Sequence, residues 1–250
     1  MKAIMLAAGV GKRLKNSFDG KPKCLLDFEG ETLLSRHMTA LTSCKIEELL
    51  IVTGYQHDMI EHEIKRNNSS LRVSTVYNPD YREGSVVSLF KANEFFTSRA
   101  NTILMDADVL YDPKILHILI NSAHENCFLL DRDFEPGNEP VKLCVAGGNL
   151  IDFRKQIHKD VQFDFQGESI GFFKFSATIG QKLVDRADQY IKTGRQNEPY
   201  EEVIRDLLLE YPEDFCFEDI TGLPWLEIDF PEDVTRATQD ILPKIKQVEL

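Results

Sequence analysis

Hydrophobic and polar positions follow two alternating periods along the first half of the chain. Short apolar runs of strand type cover Lys2–Ala7, Glu48–Gly54, Arg72–Tyr77, Thr102–Met105 and Cys127–Leu130. Amphipathic stretches of helical period lie between them, at Thr32–Ser43, Gln56–Arg66, Ser85–Phe96 and Pro113–His124. Strands alternating with helices of about 10–15 residues predict βαβ units, hence a parallel sheet with helices on both faces. Asp112 ahead of Pro113 is a cap-then-proline helix start.

The second half reads differently. Val141–Ala146 and Leu150–Arg154 flank Gly147-Gly148 and predict a hairpin. Ser169–Phe175 is a further strand, followed by helices over Ala177–Thr193 and Tyr200–Glu210. Phe215–Asp219 and Trp225–Asp229 complete the strands, and a last helix opens at Pro231. The expected fold class is α/β: a Rossmann-like, mostly parallel sheet flanked by helices, with a mixed β/α substrate lid in the second half. The lid would cover the C-terminal strand edges, where open α/β sheets bind their ligands. No linker, repeat or low-complexity tract interrupts the chain, so residues 1–250 are expected to form one domain with halves at 1–134 and 135–250.

Charge narrows the function. The 250 residues carry 29 basic and 41 acidic side chains, a formal charge of −12. That balance argues against a nucleic-acid grip, which needs clustered cations against phosphates. No apolar run approaches the ~18 residues of a membrane span, so no membrane insertion is expected. The chain opens on a strand-like run without the basic and apolar regions of a signal peptide, and a cytoplasmic location is the expectation. Cys24, Cys44, Cys127, Cys144 and Cys216 form no C-x-x-C pair and read as structural. The six histidines are scattered, with His57 and His62 five apart rather than at the four-residue spacing of helical metal ligands. They are assigned to the surface or to caps.

Two motifs carry chemistry. After the first strand, Leu6-Ala7-Ala8-Gly9-Val10-Gly11-Lys12-Arg13-Leu14 makes a glycine-rich turn whose backbone N–H groups form a concave phosphate site. Gly9 and Gly11 are expected to supply positive φ and close approach, and Lys12, Arg13, Lys21 and Lys23 add cations. Leu14 stands where a dinucleotide-binding G-x-G-x-x-G would place its third glycine, and no Walker A loop is present. A nucleoside triphosphate fits better than a dinucleotide. The second motif is Asp106-Ala107-Asp108 at the end of an apolar strand, joined by Glu227-Ile228-Asp229 at the end of another. Carboxylates at strand ends suit Mg²⁺, a hard cation that bridges to phosphate oxygens. Strand alternation puts Glu227 and Asp229 on one face, with Asp229 the better ligand.

The N-terminal motif with Lys21-Pro22-Lys23-Cys24-Leu25, then Asp106-Ala107-Asp108, then Glu227-Ile228-Asp229, resembles the nucleotidyltransferases that activate sugar-1-phosphates and phospho-alcohols. The resemblance implies Mg²⁺, a nucleoside triphosphate and release of pyrophosphate. It makes residues 1–134 the nucleotide-binding half and 135–250 the acceptor and second metal-ligand half. Leu6, Ala8, Gly9, Gly11 and Lys12 match the phosphate-loop region, Arg13 the arginine that grips the departing pyrophosphate, and Lys23 the lysine on the α-phosphate. Asp108 and Asp229 match the metal aspartates, and Asp106 extends the first site towards the nucleotide or a second metal. Gly84 and Ser85, in Glu83-Gly84-Ser85, fall where the family reads base and substrate; a plain N-cap is the alternative for Ser85. The sugar enzymes usually carry Pro-Leu-Thr where this chain has Lys15-Asn16-Ser17-Phe18-Asp19-Gly20, which weighs against a sugar-1-phosphate.

Within that superfamily the chain is similar to the phosphocholine, phosphonate and inositol-1-phosphate cytidylyltransferases. This implies CTP as donor and a small phosphorylated or phosphonate acceptor as partners, with no nucleic acid; a homodimer stays open. Lys142 matches a lysine of the inositol branch and is expected on the acceptor phosphate, against a surface role. Glu168, beside Gly167 and Gly171, could meet an acceptor amine or hydroxyl, or be a solvated turn residue. Asp131 ends another strand, where an internal ion pair with Arg132 is the alternative to acceptor contact. Trp225 is the aromatic best placed against a quaternary ammonium, with a core role equally open. The alternatives are a sugar-1-phosphate nucleotidyltransferase using another base and a catalytically silent nucleotide-binding module.

Overall fold

The structure, a computed structural model, describes residues 1–14, 20–67 and 69–245. In chain order its first elements are β1 (Lys2–Ala7), β2 (Asp27–Phe28), β3 (Glu31–Thr32), α1 (Leu33–Ser43), β4 (Glu48–Thr53), α2 (His57–Arg66) and β5 (Arg72–Tyr77). Then come α3 (Ser85–Lys91), α4 (Asn93–Phe96), β6 (Thr102–Asp106), β7 (Val109–Tyr111), α5 (Pro113–Asn121) and β8 (Cys127–Asp131). The remainder is β9 (Lys142–Ala146), β10 (Asn149–Arg154), β11 (Phe165–Phe175), α6 (Ala177–Lys192), α7 (Tyr200–Glu210), β12 (Cys216–Asp219), β13 (Trp225–Glu227) and α8 (Pro231–Arg236).

The fold is mixed α/β with a mostly parallel central sheet. β1 lies between β4 and β6, parallel to both, and β5 pairs parallel with β4. Both faces are covered over β1, β4 and β6, so these strands are apolar on both sides, whereas β5 at the edge is largely polar and exposed. Alternation splits β1 and β4 cleanly. Ala3, Met5, Leu49 and Ile51 pack with Leu34, Met38, Ile60, Ile115 and Leu119 of α1, α2 and α5. Ile4, Leu50 and Val52 pack on the opposite face with Val86, Leu89, Phe96, Leu183 and Ile204 of α3, α4, α6 and α7.

The region expected as a lid is continuous with this sheet. β11 runs antiparallel along three strands: β9 opposite Phe165–Glu168, β6 opposite Phe172–Phe175, and β8 on its other edge. β12 then pairs parallel with β8. A second, small sheet pairs β7 with β13, matching Val109 to Glu227 and Tyr111 to Trp225. The sequence pattern did not show β7, because three residues are too few to display a period.

Boundaries differ modestly from expectation. The helix expected over Ser85–Phe96 breaks at Ala92 into α3 and α4, and the one from Pro113 ends at Asn121. One assignment is corrected: His37 is fully buried, not a surface or capping residue. It sits on the inward face of α1 between Tyr111 and Phe172, ring centroids 5.3 and 6.0 Å away. Burial pushes its pKa down to about 4. All five cysteines are free thiols, with Cys127 and Cys144 in the core. Among the described residues, no helix is long and apolar enough to cross a membrane.

Candidate active site

One cleft of about 460 Å³ opens beyond the C-terminal ends of β1 and β6. Leu6, Ala8, Gly9, Gly11, Lys12, Arg13 and Lys23 line one side, and Gly84, Ser85, Asp106, Asp108 and Asp229 also face it. The sequence therefore named residues that lie up to 223 positions apart along the chain, from Leu6 to Asp229, and the fold brings them into one space.

The small β7–β13 sheet explains how the acids meet. Asp108 precedes β7 and Ile228 follows β13, and the Ile228 N–H donates to the Asp108 carbonyl at 2.9 Å. Asp229 is then fixed from behind. The buried Asp233, in the first turn of α8, accepts from the N–H groups of Asp229 at 2.9 Å and Phe230 at 2.7 Å. One oxygen each of Asp108, Glu227 and Asp229 lies within 4.8 Å of the others, a cluster able to hold a metal ion. Three hard oxygen donors suit Mg²⁺. Glu227 thus joins Asp229 rather than yielding to it, while Asp106 stands outside this set.

Cations neutralise the cluster. The Lys23 ammonium donates to Asp108 at 2.8 Å and to Asp229 at 2.5 Å. Burial works against its charge, but the two carboxylates outweigh burial and hold its pKa above the ordinary lysine range. Burial likewise opposes charge on Asp229, yet Lys23 and Arg13 keep its pKa below the usual value. Arg13 reaches Asp229 at 2.8 Å with one terminal nitrogen and Glu139 at 2.9 Å with the other. Although Glu227 is accessible from the cleft, desolvation by the surrounding protein and the charges of Asp108 and Asp229 push it up to about 8.

Of the two loop glycines, Gly11 has the positive φ expected of both. Gly11 has φ +59°, and a Cβ there would lie 3.2 Å from the Lys23 stem, so this glycine seats the lysine. Gly9 is not in the positive-φ region and would meet nothing with a Cβ. Gly84 is the N-cap of α3, and a Cβ on it would strike the backbone of Asn197 and Glu198. Its need is therefore for packing the Gln196–Glu198 loop beside the cleft. Ser85 is not the cap: its hydroxyl accepts the Tyr200 N–H at 2.8 Å and ties α7 to α3.

That tie delivers two residues the sequence did not single out. The Tyr200 hydroxyl donates to Asp106 at 2.7 Å, and Glu201 lines the same cleft. Burial, followed by repulsion from Asp108, Glu201 and Glu227, raises the Asp106 pKa well above its ordinary value. Pro199-Tyr200-Glu201-Glu202 reads in sequence as an ordinary acidic helix start, so no local signal marked either residue.

A second cavity of about 610 Å³ adjoins the first and shares Glu227 and Asp229 with it. Asp131, Glu168 and Trp225 line it. Asp131 is not paired with Arg132; it accepts the Trp225 indole N–H at 2.7 Å, while Arg132 pairs with Asp219 at 3.0 Å. Burial and the nearby Asp131 push Glu168 up to about 7. Lys142 lines neither cavity. Its ammonium donates to the carbonyls of Gly137, Pro140 and Lys155 at 2.8, 3.1 and 2.7 Å, so in place of the expected acceptor contact it anchors the 137–140 loop. Of the stretch Lys15-Asn16-Ser17-Phe18-Asp19-Gly20 that departs from Pro-Leu-Thr, residues 15–19 lie outside the described residues.

A glycine turn, its cations and the acids that those cations bridge, gathered in one cleft at the strand ends, are the site of a nucleotidyltransferase. The chain belongs to the MobA-like NTP transferase domain family, whose model matches residues 3–160. It is 34% identical over 152 residues to the choline-phosphate cytidylyltransferase of Haemophilus influenzae, covering 60% of this chain and 61% of that enzyme. The chain thus spans less than two thirds of that relative. It is 24% identical to the CTP:phosphoglutamine cytidylyltransferase of Campylobacter jejuni, covering 94% of this chain and 98% of the relative. Among solved structures, the inositol-1-phosphate CTP transferase of T. maritima superposes with a TM-score of 0.77 at 19% identity, over 98% of each chain.

Proposed function

We propose that this chain is a Mg²⁺-dependent cytidylyltransferase. It would transfer CMP from CTP to a phosphate or phosphonate oxygen of a small acceptor, of the phospho-alcohol or phosphonate class, with release of pyrophosphate. The observation that carries this reading is Lys23, held between Asp108 and Asp229 beside the glycine turn. The names of the relatives support CTP as the donor.

The roles follow from charge. The turn from Gly9 to Arg13 receives the triphosphate on its N–H groups and cations. The acceptor oxygen is already anionic at neutral pH, so attack on the α-phosphorus needs no general base. The difficulty is bringing two anions together, and Lys23 lowers it by neutralising the α-phosphate while Arg13 takes charge on the leaving pyrophosphate. Asp108, Glu227 and Asp229 are the residues that would hold Mg²⁺, which supplies further charge neutralisation when bound. The acceptor would enter from the second cavity, past Glu168 and Trp225.

The test is pyrophosphate release with and without Mg²⁺, crossing CTP, UTP, ATP, GTP and dTTP with phosphocholine, 2-aminoethylphosphonate, inositol-1-phosphate and glucose-1-phosphate. Turnover with CTP and a non-sugar acceptor, lost with EDTA and in Asp108→Asn and Asp229→Asn, is expected. Turnover confined to glucose-1-phosphate, or unaffected by EDTA, would overturn the reading.

A further inference from the structure

Arg13 lines the first cleft, yet two of the groups that hold it belong to the second cavity. One terminal nitrogen donates to Glu139 at 2.9 Å and the other to Asp229 at 2.8 Å, and the guanidinium carbon lies over the Phe230 ring, 4.7 Å from its centroid. Glu139 and Phe230 line the second cavity and not the first. Glu139 is part of an irregular strap between β8 and β9, and each of residues 134–140 lines that second cavity.

A guanidinium grips a phosphate best with its nitrogens side by side on one anion. Here its two terminal nitrogens go to separate carboxylates, so a polyphosphate has to displace one of them. Asp229 is the harder to move, because its backbone N–H is held by Asp233 and its second oxygen by Lys23. Glu139 is the easier. Its side chain is 49% exposed, so it returns to water at little cost, and Lys155 stands 3.5 Å away as a second partner. The strap stays tied without Arg13, through the Lys142 ammonium on the Gly137 and Pro140 carbonyls and through Glu135, paired with Arg236 at 3.2 Å.

We infer that Glu139 is an internal counter-anion for Arg13, that a polyphosphate replaces it there, and that the exchange unfastens the 134–140 strap and opens the second cavity. This rests on the nucleotide reading of the first cleft, but not on the identity of the base or the acceptor. By linkage, the contact that fastens the strap opposes phosphate binding by the same factor by which phosphate loosens the strap.

The probe is inorganic pyrophosphate with Mg²⁺, titrated calorimetrically into the native chain and into Glu139→Gln. The variant should bind it about 2–5-fold more tightly, the scale of one exposed ion pair. Glu135→Gln removes a charge from the same strap but not from Arg13, and should bind it as the native chain does. Trp225, the one tryptophan, lines the second cavity and reports on the strap. Pyrophosphate should raise acrylamide quenching of its fluorescence in the native chain, whereas in Glu139→Gln the quenching should start high and stay there. Pyrophosphate binding that is absent, or no tighter in Glu139→Gln, would overturn the exchange. So would an equal gain in Glu135→Gln, or quenching in the native chain that pyrophosphate leaves unchanged. Turnover of CTP alongside any of these results would sink the exchange alone. Tighter binding in Glu139→Gln with the expected quenching, but no turnover of CTP with any acceptor, would instead sink the cytidylyltransferase reading and leave the exchange standing.

Discussion

The Lys23 ammonium lies 2.5 Å from one Asp229 oxygen while Arg13 holds the other oxygen at 2.8 Å, so one carboxylate organises two cations beside the glycine turn. Asp108 completes the arrangement at 2.8 Å from Lys23. Lys23 is thus poised between the acids and the place where an α-phosphate would come. Lys23→Ala should lower turnover at least ~100-fold, the scale for losing one preorganised electrostatic stabiliser. Steady-state pyrophosphate release checks this, with circular dichroism to confirm folding. Near-normal turnover in a folded variant would remove Lys23 from the chemistry.

Gly171 keeps Asp106 in place by having no side chain. It lies in β11 with φ +75°, and a Cβ there would collide with the Asp106 carboxyl group. Gly171→Ala pays twice, once for a backbone conformation that alanine resists and once for displacing a carboxylate anchored to Tyr200. A loss of about 1–3 kcal/mol is expected, read as a Tm drop of about 2–4 °C for each kcal/mol at this chain length. Turnover should fall with it, because Asp106 faces the cleft. Gly9→Ala is the contrast: that position is not at positive φ and has open space, so Tm should hold.

The two comparisons show what the sequence made legible. The βαβ order, the glycine turn and both acidic strand ends are local patterns, and each was readable because its meaning lies in a few adjacent positions. The Lys23 bridge was not, since it joins residues from three separate segments. Asp233 behind Asp229 lies in the helix that opens at Pro231, and nothing in the sequence singled it out. The contact between Tyr200 and Asp106 spans 94 positions, with no pattern linking them. Gly84 was placed correctly at the cleft but for a different reason: its neighbour is the 197–198 backbone. Lys142 was drawn to the acceptor by resemblance, whereas three carbonyls claim its ammonium.

Glu168 offers a pH-dependent test of the second cavity. Its carboxyl rises from the ordinary 4.5 to about 7 through burial and the nearby Asp131. Between those values the folded state keeps a proton that the unfolded chain releases, so this group makes stability fall as pH rises. The penalty is complete above about pH 7 and absent below about pH 4.5. Glu168→Gln should therefore stabilise the protein at pH 8, by at most about 3 kcal/mol, and have no such effect at pH 4. Denaturant titrations at the two pH values measure the difference. An equal effect at both would mean that Glu168 titrates normally.

His37 gives the opposite slope. Its ring is buried against Tyr111 and Phe172, its Nδ1 lies 3.4 Å from the Tyr111 hydroxyl, and its Nε2 has no hydrogen-bond partner among the described residues. Burial lowers its pKa from the ordinary 6.5 to about 4, so the folded state excludes a proton that the unfolded chain takes up in that window. Stability from this group is complete above about pH 6.5 and declines as pH falls towards 4, where the loss levels off. The full excursion is about 3 kcal/mol or less. His37→Phe removes the titration while keeping a ring among the aromatics. Its unfolding free energy, subtracted from that of the native chain between pH 4 and pH 7, should isolate the histidine's slope, positive with pH for the native protein. Parallel pH curves for the two proteins would show that His37 is not held neutral.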